Sequence, residues 1–197
     1  MNSVQLVWAH PRADSLTARV VDAIRQELKQ SAVPFTEVDL YRSGFDPRLQ
    51  QADEPDWGNP GKSYSDEVMK LAEEVNEKDV LLFVFPTWWA SVPAILKGYI
   101  DRVFNYGIAY GGRRKLNPKS WRWIALVGET HEEFSVERSA DQSMSHVLNH
   151  SIARYCGAEE SEVVFLYNSL GEGVTDLLAH HELLIQQALT AVREAVK

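Results

Sequence analysis

Cysteine is nearly absent: Cys156 stands alone among 197 residues. A single thiol has no partner within the chain, so a disulfide framework is excluded and an oxidising compartment is not indicated. No apolar run approaches the roughly 18 residues that a membrane-spanning helix needs. Met1 to Trp8 has neither the basic start nor the apolar core of a secretion signal. A cytoplasmic location without membrane insertion is expected. Basic residues are in deficit: 20 Lys and Arg stand against 28 Asp and Glu, a net charge of -8, with no block of like charge. Nucleic acids and anionic membranes demand a basic face, so neither is an expected partner; a local basic pocket for a phosphate remains compatible. Internal repeats and low-complexity segments are missing. So are the GxSxG elbow of an α/β hydrolase and the GxGxxG fingerprint of a dinucleotide fold.

What is present is ordinary globular material, 45% hydrophobic and 24% charged. The length suits one well-cored domain over residues 1–197. Short β-branched runs alternate with longer helical patterns. Val4 to Trp8 is a short apolar run ending at His10-Pro11. Leu16, Val20, Val21, Ile24 and Leu28 then recur at helical spacing. Pro34 breaks the chain, and Phe35 to Leu40 reads as a second strand. Val68, Leu71, Ala72 and Val75 mark a second helix, with Ser63 and Asp66 as a capping box. Asp79 to Phe85 is apolar on both faces, as buried parallel strands are. Pro93 opens a third helix where proline is tolerated. Trp121 to Val127 is a fourth strand. Val147, Leu148, Ile152 and Tyr155 mark a fourth helix, stopped at Gly157. Val163 to Leu166 is a fifth strand, and Leu177 to Val196 a closing helix. Strands alternating with helices predict an α/β fold, a three-layer doubly wound parallel sheet. Right-handed crossovers leave few topologies. The flavodoxin-like order 2-1-3-4-5 is preferred over a dinucleotide-binding order, although the pattern alone does not separate them.

In such sheets ligands bind beyond the carboxyl ends of the strands, near the switch point, here between strands one and three. Two loops therefore matter most. His10 to Thr17 runs from a strand end into a helix start, where free N–H groups and a positive dipole end suit a phosphate. Ser15 and Thr17 add hydroxyls and His10 an imidazole. The plain alternative is that Asp14 or Ser15 merely caps a helix. Pro86 to Val92 carries Trp88 and Trp89 in a connection bracketed by prolines. Aromatic rings at that edge make a wall for a planar ligand; the alternative is that one of them packs beneath the loop. The long irregular stretch Arg42 to Lys62 is of a kind usually functional or mobile.

His10-Pro11 with Ser15-Leu16-Thr17, and the stretch Phe85-Pro-Thr-Trp-Trp-Ala-Ser-Val-Pro-Ala-Ile-Leu-Lys-Gly-Tyr-Ile-Asp-Arg-Val-Phe104, resemble the NAD(P)H:quinone oxidoreductase family. That family includes the DT-diaphorase type, modulator-of-drug-activity-like reductases and ancillary subunits of potassium efflux systems. Gly44-Phe-Asp-Pro47 and Asn105-Tyr-Gly-Ile-Ala-Tyr-Gly-Gly112 also look like family loops. The resemblance implies a flavodoxin-like fold, a flavin, and a homodimer with active sites at its interface. It implies that His10, Ser15, Leu16 and Thr17 hold the flavin's phosphate end, and that Pro86, Thr87, Trp88, Trp89 and Ala90 line its ring system. Tyr110 matches a tyrosine shaping the acceptor pocket. After the fourth strand many members carry a glycine-rich turn, whereas here Gly128 is followed by Glu129-Thr130-His131-Glu132-Glu133-Phe134. His131 is a catalytic candidate by location only. The length matches FMN-using members, so FMN is expected, with FAD the alternative.

The expected reaction is a ping-pong hydride transfer from NAD(P)H to a flat acceptor such as a quinone, a nitroaromatic or an azo compound. The flavin carries the hard chemistry. A second reading is a regulatory subunit of a membrane transporter, with Leu116, Trp121 and Trp123 as a docking face, although strand burial explains these three residues more simply. A one-electron carrier is disfavoured, because the phosphate loop lacks the hydroxyl- and glycine-rich form of those carriers. His180-His181 read as solvated helix surface. His146 and His150, spaced i, i+4, lack a third ligand, so no metal is expected. Cys156 reads as a buried small residue.

Overall fold

The computed structural model describes residues 2–112 and 114–197. These form β1 (Val4–Trp8), β2 (Phe35–Asp39), β3 (Val80–Pro86), β4 (Ser120–Leu126) and β5 (Glu160–Leu166), all parallel, in the expected order β2-β1-β3-β4-β5. The main helices are α1 (Leu16–Gln30), α2 (Asp66–Asn76), α3 (Ala94–Val103), α4 (Ala140–Ser145) and α5 (Leu177–Ala195). A π-helical stretch, His146–Arg154, continues α4, and a shorter one covers Glu132–Glu137. No helix among the described residues is long and apolar enough to cross a membrane.

Side chains alternate across each strand, so one strand feeds two cores. Leu81, Phe83 and Phe85 of β3 join Trp121 and Trp123 of β4 beneath α2, α3 and α4. Val80, Leu82 and Val84 join Ile124 and Leu126 beneath α1 and α5. Phe83 and Trp123 stack with ring centroids 4.2 Å apart and planes within 11°. This double coverage is why β3 is apolar at every position. It also disposes of the docking face: Leu116, Trp121 and Trp123 are interior side chains, 0–1% exposed.

Two details correct the sequence reading. Ser65, not Ser63, caps α2, its hydroxyl accepting Val68 N–H at 3.4 Å. The reason is tertiary: Tyr64 is buried with its hydroxyl on Tyr106 O, and Asp53 accepts Ser65 N–H at 2.8 Å. The fourth helix begins seven residues before Val147, at Ala140. Gly157 does end that helical segment, with φ +109°. A Cβ there would lie 2.7 Å from Lys115 Cβ.

The stretch from Arg42 to Lys62 is packed down as a strap across α3. Gly98 of α3 admits it, since a Cβ there would sit 2.2 Å from Pro47 O. Asp53, fully buried, takes Arg102 Nε and Nη2 at 3.1 and 2.8 Å, and Asn105 Nδ2 donates to Asp53 O at 2.6 Å.

Candidate active site

Because every strand is parallel, the segments leaving β1, β3, β4 and β5 all emerge on one edge. There they form two adjoining clefts. The first, about 500 Å³, collects His10, Ser15, Leu16, Thr17, Pro86, Thr87 and Trp88. The second, about 490 Å³, collects Thr87, Trp88, Trp89 and Ala90. Thr87, Trp88 and Gly128 line both, so the two are halves of one groove. A larger groove of about 860 Å³ runs along α2 and is rimmed by Lys70, Glu73 and Lys115, away from the strand ends.

The first cleft is built by the start of α1. Ser15 Oγ accepts Ala18 N–H at 3.2 Å, so the capping role is real. It leaves the N–H groups of Leu16 and Thr17 without intrahelical partners. Burial pushes the His10 imidazole below its usual pKa, and the Arg12 and Arg42 guanidiniums push the same way. His10 is therefore mostly neutral at pH 7. Its Nδ1 lies 3.0 Å from Arg12 N and 3.2 Å from Arg12 O, so the Arg12 backbone holds the ring in either neutral tautomer; the tautomer that accepts from Arg12 N–H leaves Nε2–H to donate. Arg42 holds the loop in place, donating to His10 O through both Nη atoms at 3.1 Å. Arg12, also on this cleft, gives an anion a cationic neighbour.

The second cleft is built by a tight turn. Trp88 and Ser91 exchange backbone hydrogen bonds of 3.1 and 3.2 Å, and Trp89 and Ala90 between them have φ +54° and +50°. Both positive angles suit the primed hairpin turn but oppose L side chains. The tryptophans do not pack beneath the loop: Trp88 is 42% exposed and Trp89 100%. Thr87 anchors the turn through its N–H and hydroxyl, both donating to Leu126 O. Strain of this sort gathers at ligand clamps. Ala90→Gly is expected to raise stability by about 0.5–1 kcal/mol, the relief of strain exceeding glycine's extra chain entropy. Urea unfolding measures it; a loss of stability would show that Ala90 is unstrained.

Two candidates fall outside the groove. Tyr110 lines a separate cleft with Trp57, Ile152, Tyr155 and Cys156, and burial raises its phenol pKa. His131 lies edge-on to Tyr167, centroids 5.0 Å apart, and lines neither half of the groove.

Other groove residues are not among the expected cofactor contacts, although the altered Gly128 to Phe134 segment is marked in the sequence by its departure from the family's glycine-rich turn. Ser169 and Leu170 arrive from the β5 segment and His181 from α5. His180 and His181 are not free surface: their Nε2 atoms bond Asn168 O at 2.9 Å and Ser169 O at 3.1 Å, tying that segment to α5. Glu129, Phe134 and Arg138 line the second cleft from the segment after β4. Parallel topology would have nominated these loops; nothing local marks Ser169, Leu170, His181 or Arg138.

Comparison with known proteins agrees with this architecture. The chain is 46% identical over 193 residues, covering 98% of itself and 96% of its relative, to YcaK, an uncharacterised NAD(P)H oxidoreductase of Escherichia coli (strain K12). An NAD(P)H:quinone oxidoreductase from Methanothermobacter marburgensis superposes with TM-score 0.85 at 26% identity, over 98% of this chain and 95% of that one. A Bacillus anthracis FMN-dependent NADH-azoreductase, solved with FMN, shares the fold at TM-score 0.71 and 17% identity, over 98% of this chain and all (100%) of that one. The family model described as flavodoxin-like fold matches residues 2–189, and the chain belongs to that family.

Proposed function

We propose that this chain is an NAD(P)H oxidoreductase that carries a flavin and reduces quinones or related flat acceptors, nitroaromatics and azo compounds among them. The observation that carries the reading is the two-part groove: a phosphate-type cradle at one end and an aromatic, planar slot at the other, joined at Gly128. The names of the relatives support the same chemistry. The residues present fit a flavin. The N–H groups at the start of α1, the Thr17 hydroxyl and neutral His10 suit its phosphate. Trp88, Trp89 and Ala90 suit its ring system, and Pro86 and Thr87 the span between. FMN is the form we assign, in keeping with the FMN-bound relative of the same fold.

When bound, the flavin supplies hydride storage between the nicotinamide and the acceptor. The chain's own part is placement. Helix dipole and cationic side chains hold the anion, and the Trp89 turn presents an apolar wall. Gly128 keeps the junction open. Tyr110 has no place in the groove of its own subunit. Its role belongs to a homodimer in which a second copy supplies it, and that assembly is part of the proposal, as is the cytoplasmic setting.

The test is the visible absorbance of the purified protein with FMN or FAD added. Flavin bands bleached by NAD(P)H and restored by a quinone are expected. A colourless protein that takes up neither flavin would overturn the reading.

A further inference from the structure

The segment after β4 lacks the glycine-rich turn expected there, and in its place it brings an arginine to the half of the groove that suits the flavin ring, where a flat acceptor would stack. Arg138 is the only cation among the described residues lining the second cleft, beside Trp88, Trp89 and Phe134. Three contacts set its guanidinium. Nε donates to Glu133 O at 3.2 Å, Nη2 pairs with the Glu129 carboxylate, and Cζ lies 5.8 Å from the Phe134 ring centroid. A guanidinium has five N–H donors. Those beyond the two bonds are unclaimed among the described residues, and the side chain is 49% exposed. The group is thus held in orientation yet keeps donors for a ligand lying against the tryptophans.

We infer that Arg138 is a catalytic residue of the acceptor half-reaction, holding the quinone oxygen on which negative charge develops; this rests on the quinone-reductase reading above. The step balances. The quinone takes up a hydride, two electrons and one proton, drawn from NAD(P)H by way of the flavin. An O–H bond forms at one carbonyl oxygen and its C=O π bond breaks. The ring bonds shift, and the electron pair of the second C=O settles on its oxygen as a phenolate. NAD(P)+ is the oxidised product. The second proton comes from water, because arginine does not release its own. A preset cationic donor at the developing oxyanion lowers the barrier. Glu129 orients the guanidinium and also competes with the phenolate for it.

The experiment uses the flavin-loaded protein and three variants, Arg138→Gln, Arg138→Lys and Glu129→Gln. Stopped-flow absorbance separates reduction by NAD(P)H from reoxidation by a neutral quinone. Calorimetry measures binding of 2-hydroxy-1,4-naphthoquinone, an enolate at neutral pH that mimics the charged product. Arg138→Gln is expected to slow reoxidation about tenfold to a hundredfold, below the full loss of an enclosed oxyanion donor because the site is half open. It should weaken the enolate about tenfold, with partial rescue in Arg138→Lys. Compared at saturating flavin, the rate of reduction by NAD(P)H should fall several-fold less than the rate of reoxidation. Glu129→Gln should tighten the enolate about threefold. Wild-type reoxidation and enolate affinity in Arg138→Gln would overturn the assignment while leaving the reductase reading intact. A wild-type protein that NAD(P)H does not bleach would overturn both.

Discussion

Arg102→Ala is expected to destabilise the fold by about 3–5 kcal/mol, the cost of leaving a buried charge without its partner. Asp53 and Arg102 are 0% and 3% exposed at their side chains. Arg102 also donates to Asp46 O at 2.5 Å and pairs with Glu67 at 2.8 Å, so one side chain ties α3 to both the strap and α2. Its loss leaves the Asp53 carboxylate with Ser65 as its partner. The pH dependence carries a sign that tests this cause. Burial by itself would raise the Asp53 carboxyl, but the Ser65 N–H and the Arg102 guanidinium outweigh it and hold it below the usual carboxylate range. A depressed folded pKa contributes stability above the unfolded value, near 4, and that contribution is lost as pH falls through the folded value. In Arg102→Ala burial is no longer opposed by the guanidinium, so Asp53 protonates more readily. The gap between wild type and variant should therefore narrow below about pH 4. Urea unfolding at neutral and acid pH measures both. A gap that is small at pH 7, or constant with pH, would mean that the pair is not what holds the strap.

This pair shows where sequence reading stops. Asp53 sits in a stretch of Pro, Gly, Asp and Gln with no periodicity, and its partner lies 49 residues away. Nothing local announces that contact. The regular elements were legible for the opposite reason. Val20, Val21, Ile24 and Leu28 keep one face of α1 apolar, and β3 is apolar throughout because two layers cover it. The alternation left two sheet orders open, and the missing GxGxxG fingerprint together with the family resemblance favoured the one observed. The turn at Glu132–Glu137 went unseen because Phe134 and Ser135 are its only buried residues, too few to set a period.

The site divides along the same line. His10, Ser15, Thr17, Trp88 and Trp89 were expected at one edge because a parallel sheet brings the loops after its first and third strands together, and the groove does collect them. Arg138 and His181 were not, because each reaches the groove only through the packing of its segment. Tyr110 and His131 were placed by likeness and by proximity in sequence, and neither fixes a direction in space. The tight turn of Trp89 and Ala90 is a different case. No Asn or Gly advertises its positive angles, so the strain became visible only in the folded backbone.

Gly128→Val is expected to weaken flavin binding about a hundredfold, close to 2.7 kcal/mol, while leaving the fold nearly as stable as wild type. Gly128 is the residue from the β4 segment that lines both halves of the groove. A Cβ there would lie 3.2 Å from Leu170 Cδ1, the end of a side chain that is 79% exposed and free to turn aside. Its φ lies outside the left-handed region, so a branched side chain brings no backbone penalty. The added methyl groups therefore cost the empty protein little and take space that a ligand crossing from the first cleft to the second must use. Fluorescence titration of the flavin-free protein with FMN, beside thermal unfolding, separates the two effects. Wild-type affinity in a stable variant would show that the clefts serve different ligands, and the single-groove reading would fall. Weak binding with an unchanged melting temperature is the result expected of a ligand that lies against Gly128 where the two clefts meet.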